Sequence, residues 1–331
     1  MQGKPVLRYL VHVSACVRIT PTLKISGFLR RFCVGAFSST VILGLLSNSE
    51  FADSSQPMSR IRLMKLLFLL RQESRVHQHG AFYDFLPYKY GPYSFAADRD
   101  LRGLVESGFV MGEKPTLSEA KRGEAVQAYC RLPAGIRMDV SNLVRRYSAQ
   151  SDSVLVDDVY ARYPEYTVLS ERNGPPQPRE FAQAAVYTMG YEGVSVDRFL
   201  HALIRDGIAR LLDVRNNPMS RRYGFAKKTL SGLCEKIGVE YVHLPQLGIP
   251  SSERQSLSDY ASYQELLDRY EKAMLPLQAS ASAHVANLTK EKATVLVCFE
   301  ADVTCCHRGR LASRVAELSG LSIHHLEARG G

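Results

Sequence analysis

From residue 185 onward the apolar residues switch repeatedly between a strand-like run and a helical stripe, and that alternation restricts the fold more than any other feature of the sequence. Residues 185–191 read as a strand, after which Ser195 caps a helix with Val196, Phe199, Leu200 and Leu203 on one stripe. Residues 209–214 are the next strand, followed by a helix carrying Ala226, Leu230, Leu233 and Ile237, which Gly238 ends where a left-handed residue is wanted. A third strand at 239–243, a longer helical region at 262–288, a fourth strand at 294–299 and a last one at 321–326 complete the series. Strands and helices in alternation need crossover connections. The expected fold is therefore α/β: a mostly parallel, Rossmann-like sheet with helices on both faces.

In such sheets ligands bind beyond the carboxyl ends of the strands. Gly190, Tyr191, Glu192 and Gly193 follow the first strand; Asp213, Arg215, Ser220 and Arg221 follow the second; His243 ends the third. The fourth delivers Glu300 and Asp302 into Cys305, Cys306, His307 and Arg308, where a helical pattern begins. Gly190 and Gly193 flank a strand-to-helix turn, a place where backbone amides meet a phosphate. The charge of Arg215, and the helix start at His307 and Arg308, would strengthen such an anion site. Asp213 and Glu300 are expected to end adjacent or near-adjacent strands, where paired carboxylates share acid and base duties at a glycosidic bond or hold a divalent metal for phosphodiester hydrolysis. The plainer alternative is that Asp213 pairs with Arg215 and orders its loop.

The thiols allow several readings. Cys306, at a helix N-terminus beside His307 and Arg308, is expected to have a lowered pKa and to be reactive. Cys298 lies within the strand pattern, ten residues before Arg308, which departs from a phosphatase-like loop closing on arginine. Zinc on Cys298, Cys305, Cys306 and a histidine meets the objection that adjacent cysteines suit a tetrahedral site poorly. The bland alternative makes Cys298 core and Cys306 a helix cap. No cofactor is required by these patterns, and a divalent metal is compatible with them.

The chain is basic, with 42 Lys and Arg against 33 Asp and Glu, a net charge of +9 and a pI near 9.2. Residues 58–150 hold 15 of the basic and 9 of the acidic residues, most of the excess in under a third of the length. There a helix with Leu63, Leu66, Leu67 and Leu70 at core spacing precedes an aromatic stretch, FYDFLPYKYGPYSF, broken by Pro87, Gly91 and Pro92 and expected to be an extended connector. Ser94 then caps a second helix, Gly108 ends it, and a short strand follows. Helix, connector, helix and strand is the grammar of a winged helix, which reads DNA. DNA is the expected partner, with Lys89, Arg99, Arg102, Lys121 and Arg122 as the DNA-binding residues. The other reading is that the aromatics fill a small core and the basic residues are solvated.

The run NGPPQP ends this region, since adjacent prolines interrupt helix and sheet alike. The expected division is an N-terminal extension at 1–57, a basic winged-helix-like domain at 58–172, a linker at 173–184 and the α/β domain at 185–331. Residues 28–47 are apolar after Arg30 and Arg31, yet the run at 33–46 falls short of the roughly 20 residues of a membrane span. They read as a signal peptide, an amphipathic anchor or sequence upstream of a natural start at Met58, the last being preferred. No membrane partner is expected. Seven scattered cysteines do not make a disulfide framework, which points to a reducing cytoplasm. Oligomeric state has no signature here.

Two resemblances add to this reading. TMGYEG, DVRNNPMSRRYGF, YVHLPQLG and CFEADVTCCHR, in that order, resemble the domain of unknown function 488 family, also called YeaO-like, over about residues 186–326. The resemblance implies a site at Gly190, Tyr191, Gly193, Asp213, Arg215, Pro218, Ser220, Arg221, His243, Cys298, Glu300, Cys306, His307 and Arg308; Cys305 is extra to the family's Cys-His-Arg triplet. KLLFLL followed by PYKYGPYS loosely resembles a Panacea-like module of phage-defence and toxin–antitoxin systems. The expected function is a DNA-directed enzyme of repair or anti-phage defence that hydrolyses a glycosidic or phosphodiester bond. Its catalytic residues would be Asp213, Glu300, His243 and Cys306, with Gly190, Tyr191, Gly193, Arg215, Ser220, Arg221, His307 and Arg308 binding substrate or phosphate. The alternatives are a non-catalytic DNA-binding regulator with a ligand- or redox-sensing α/β domain, and a thiol transferase.

Overall fold

The structure, a computed structural model, describes residues 36–48, 58–79, 81–172, 174, 178–254 and 259–328. Helix α1 (Phe37–Ser47) is apolar on almost every side and must be covered all round. Val41, Ile42, Leu43 and Leu45 are fully buried against α2 (Arg60–Glu73), α3 (Phe95–Glu106), α4 (Glu119–Cys130) and α5 (Ala134–Tyr147). Gly44 lets α4 come close, for a Cβ there would lie 2.3 Å from the Tyr129 ring. A boundary at Met58 leaves this helix out, whereas it packs into the same core as the helices that follow; the rest of the 28–47 run, and the chain on either side of α1, lie outside the described residues. Helix α6 (Asp152–Arg162) closes the N-terminal domain, with Asp152 pairing the fully buried Arg62 at 2.7 Å. Among the described residues no helix is long and apolar enough to cross a membrane.

The aromatic stretch differs from the expected connector. It folds into a hairpin of β1 (Leu86–Tyr88) and β2 (Gly91–Tyr93), in which Gly91 supplies the left-handed φ of 80° that the tight turn needs. The short strand expected after α3 is β3 (Val110–Met111), paired with β4 (Thr116–Leu117).

The second domain is α/β. Its strands are β5 (Val186–Gly190), β6 (Arg210–Asp213), β7 (Glu240–His243), β8 (Thr294–Cys298) and β9 (Ile323–Leu326), all parallel in the order β7-β6-β8-β5-β9. Helices α7 (Val196–Arg205) and α8 (Lys227–Lys236) bury their stripes on Met189, Leu211, Val295 and Val297, one face of the sheet. Helices α9 (Tyr260–Arg269), α10 (Ala279–Glu291) and α11 (His307–Ser319) cover Val186, Leu212, Leu296 and Cys298, the other face. Strand β8 is central, and its connection leaves toward the second face while those of its neighbours β5 and β6 leave toward the first. Its carboxyl end is thus at a topological switch point, where a doubly wound sheet opens a crevice.

The domains meet through the hairpin and the start of α3. Leu86 and Phe95 join the core under α7. Asp197, fully buried on α7, accepts hydrogen bonds from Ser94 Oγ (2.9 Å) and from the Phe95 and Ala96 amides (2.7 and 3.1 Å), so it satisfies the first turn of a helix in the other domain. In return Asp84 accepts from Ser195 Oγ at 2.7 Å and from Arg198 at 2.9 Å. Arg179, in the stretch expected as linker, is docked on the α/β domain by donating to the carbonyls of Leu203, Ile208 and Ile237.

Candidate functional site

The residues at the carboxyl edge fall into two clusters on opposite faces. Asp213 pairs across β6 and β8 with Val297, whose neighbour Cys298 points the other way. On the α7–α8 face, Arg215 grips Asp213 through Nε at 2.8 Å and Nη2 at 2.5 Å. Tyr241 donates to the same carboxylate at 2.6 Å, and Arg215 donates onward to Tyr191 Oη (2.7 Å) and the Phe225 carbonyl (2.9 Å). The Tyr191 ring stacks on Phe225 at 4.1 Å. Burial alone would lower the Arg215 guanidinium, but Asp213 more than offsets it and holds the value up. With Asp213 fully enclosed and every partner matched, this is a closed internal network that fixes the loop after β6. His243 belongs to this side, its Nε2 donating to the Arg215 carbonyl at 2.9 Å.

On the α9–α11 face, Cys298, Cys306 and His307 are all buried, with their ligand atoms mutually within 4.8 Å. The Cys298 thiol lies 3.2 Å from Glu300 Oε2 and 3.7 Å from His307 Nδ1. His307 Nε2 donates to the Val214 carbonyl at 3.2 Å, which assigns the proton to that nitrogen and leaves Nδ1 turned toward the sulfur. Tyr263 donates to Glu300 Oε1 at 3.0 Å, and Arg254 stands 3.8 Å from the same oxygen. Burial would raise the Glu300 carboxyl; a hydrogen bond from Cys306 and the nearby His307 outweigh it and hold Glu300 below the ordinary carboxylate range. The Cys306 thiol goes the opposite way from expectation. It is pushed up by burial and by Cys298 and Glu300, because a helix N-terminus cannot compensate enclosure beside two other acidic groups.

Arg308 turns back, donating to the carbonyls of Glu300 (2.5 Å) and Ala301 (2.9 Å), and so shapes the loop after β8. At the glycine turn two backbone amides are already engaged. The Tyr191 and Glu192 amides both donate to the Phe299 carbonyl, at 3.1 and 2.9 Å. Gly190 is required instead by close approach, since a Cβ there would lie 1.9 Å from the Glu300 carbonyl oxygen. Gly193 takes a φ of 77° in the turn. Ser220 accepts from the Arg222 amide and Arg221 is exposed; Arg222 is the one that reaches the first loop, donating to the Val194 carbonyl at 2.6 Å. Asp302 caps the short turn before Cys306 by accepting from Thr304. Tyr241, Tyr263 and Arg254 went unnoticed in the sequence. Only Tyr241 carried a signal, being two residues before His243 and so on the same face of its strand.

All five basic residues expected to meet DNA have carboxylate partners: Lys89 with Glu171, Arg99 with Asp100, Arg102 with Asp98, Lys121 with Glu124 and Arg122 with Glu119, at 2.5–3.2 Å. Arg99 also lies over the Tyr223 ring at 4.3 Å, which commits it to the domain interface.

Fold and site together define a doubly wound α/β domain with a thiol–imidazole–carboxylate cluster at its switch point, joined to a helical domain. Residues 195–315 match the family model described as domain of unknown function DUF488. No curated protein and no solved structure matches the chain.

Proposed function

We propose that the chain is a hydrolase directed at nucleic acid, in which Glu300 activates water at the carboxyl edge of the sheet. The observation that carries this reading is the position of Glu300: a carboxylate oriented by Tyr263, just past the carboxyl end of β8, where the connection of β8 parts from those of β5 and β6. Such a carboxylate accepts a proton from water as the water oxygen bonds to an electrophilic carbon or phosphorus. The bond to the leaving oxygen or nitrogen then breaks, and the carboxyl returns the proton to that atom. Asp213, enclosed on the opposite face, has no part in this step and holds the neighbouring loop.

Charge supports the choice of substrate. The chain carries +9, with much of the excess on the N-terminal domain. Lys89, Arg102, Lys121 and Arg122 are solvent-facing, and exposed ion pairs are screened by water and salt, so exchanging a carboxylate for a phosphate costs little. Repair of, or defence against, modified or foreign DNA is the setting that fits such an enzyme. Single- and double-stranded DNA, unmodified and base-modified, should be retained at low salt and lose a base or a phosphodiester bond. Glu300→Gln should slow that release by about 10²–10⁴-fold while melting as the parent does. Release unchanged in Glu300→Gln, or no retention of DNA at low salt, refutes the proposal.

A further inference from the structure

The geometry points to a zinc-class metal centre at Cys298, Cys306 and His307, with its open position facing Glu300. Three observations converge. The two sulfurs and Nδ1 share one buried spot, all within 4.8 Å of one another. In a tetrahedral site with metal–sulfur and metal–nitrogen bonds of usual length, sulfur and nitrogen stand about 3.6 Å apart; the Cys298 Sγ to His307 Nδ1 distance is 3.7 Å. The Nε2 hydrogen bond to Val214 is the outer-sphere contact that fixes a metal-binding imidazole in the tautomer with Nδ1 free.

The objection that adjacent cysteines suit a tetrahedral site poorly is met by Cys305 staying out. It lies in the short turn Val303–Cys305, while Cys306, in extended backbone just ahead of α11, sends its sulfur inward to join Cys298. The set is thus two cysteines from separate elements and one histidine, with three protein ligands as in a site that keeps a position for water. Glu300 lies outside the mutual set, with Oε2 3.2 Å from the Cys298 sulfur, which places a proton acceptor beside that fourth position. This deepens the reading of Glu300 as activator of water. The metal would take the water oxygen as ligand, making its proton easier for Glu300 to remove.

The test is metal analysis of the full-length, tag-free protein, which needs no knowledge of substrate. One equivalent of zinc is expected, and cobalt exchanged into the site should show thiolate-to-metal charge transfer. Cys306→Ser and His307→Gln should each lose the metal, while Cys305→Ser, one residue away, and Glu300→Gln should both keep it. Because the ligand variants risk misfolding, chelator treatment of the parent gives a second measure: it should expose two further thiols to a thiol reagent, and zinc should protect them again. Folded protein that takes up neither zinc nor cobalt, or an isolated Cys298–Cys306 disulfide, overturns the inference. Metal retained by Glu300→Gln with hydrolysis unaffected would remove Glu300 from the reaction and leave the metal centre standing; hydrolysis by metal-free protein would overturn the metal's part in activating water and leave the role of Glu300 standing.

Discussion

Asp213 and Cys298 end hydrogen-bonded neighbouring strands and yet face opposite sides of the sheet. Chemistry at the carboxyl edge is divided accordingly, and the two carboxylates that look like a pair along the chain serve different ends. Asp213→Asn leaves the buried Arg215 charge without its partner, and should destabilise the protein by about 3–5 kcal/mol. Glu300→Gln, which can still accept from Tyr263, should melt close to the parent. Chemical denaturation of the two variants side by side checks the contrast, and equal losses of stability would contradict it.

Gly190→Ala tests the close approach of β5 to the loop after β8. The added methyl has no room beside the Glu300 carbonyl, so the loop must shift, at a cost of roughly 1–3 kcal/mol or more. The displaced segment carries Glu300, so turnover should fall along with the melting temperature. A Gly190→Ala protein with unchanged melting would show that the loop yields freely.

Asp197 supplies a pH dependence. Burial pushes its carboxyl from 3.8 up to about 7, against the pull of the Ala96 and Phe95 amides and Ser94. A folded value above the unfolded one means that the folded state holds the proton between the two. The stability owed to this group is therefore full below the unfolded value and lost as pH rises through about 7. The stability difference between parent and Asp197→Asn should thus move against the parent between about pH 4 and about pH 7 and level off above. A difference flat across that window would disprove the assignment.

Lys121→Ala with Arg122→Ala should weaken DNA retention across all sequences alike and flatten its salt dependence by about one unit of slope for each phosphate left without its cation. Arg99→Ala should loosen the domain interface, where it lies over Tyr223, without changing that slope. Filter binding over a salt series separates the two; an Arg99→Ala slope change equal to the double variant's would place Arg99 on the DNA instead.

The strands, their parallel arrangement and the helices between them were legible because apolar period reports burial, and burial decides element type. The Asp213–Arg215 pair was legible as one of two readings, since two residues apart past a strand end they can always reach each other. The division of the clusters was not, because it depends on the register that sets Asp213 opposite Val297, and register is a property of two strands that neither declares alone. Helix α1 was hidden for a different reason: a helix buried all round has the same composition as the apolar core of a signal peptide. The hairpin aromatics were ambiguous in kind, since Tyr88, Tyr93 and Phe95 look the same whether they pack their own domain or a neighbour's.

Asp197 has one more consequence. Its carboxyl group takes the first two amides of α3 and the hydroxyl of the capping Ser94, and these are the donors it meets among the described residues, so each domain carries part of the other's wiring. An excised α/β half would keep an acid facing an apolar scar, and an excised helical half would keep a first turn with bare amides. Dissection at the proline-rich run therefore produces fragments that are each less than half a protein, and the pair is better handled, mutated and assayed as one heritable unit.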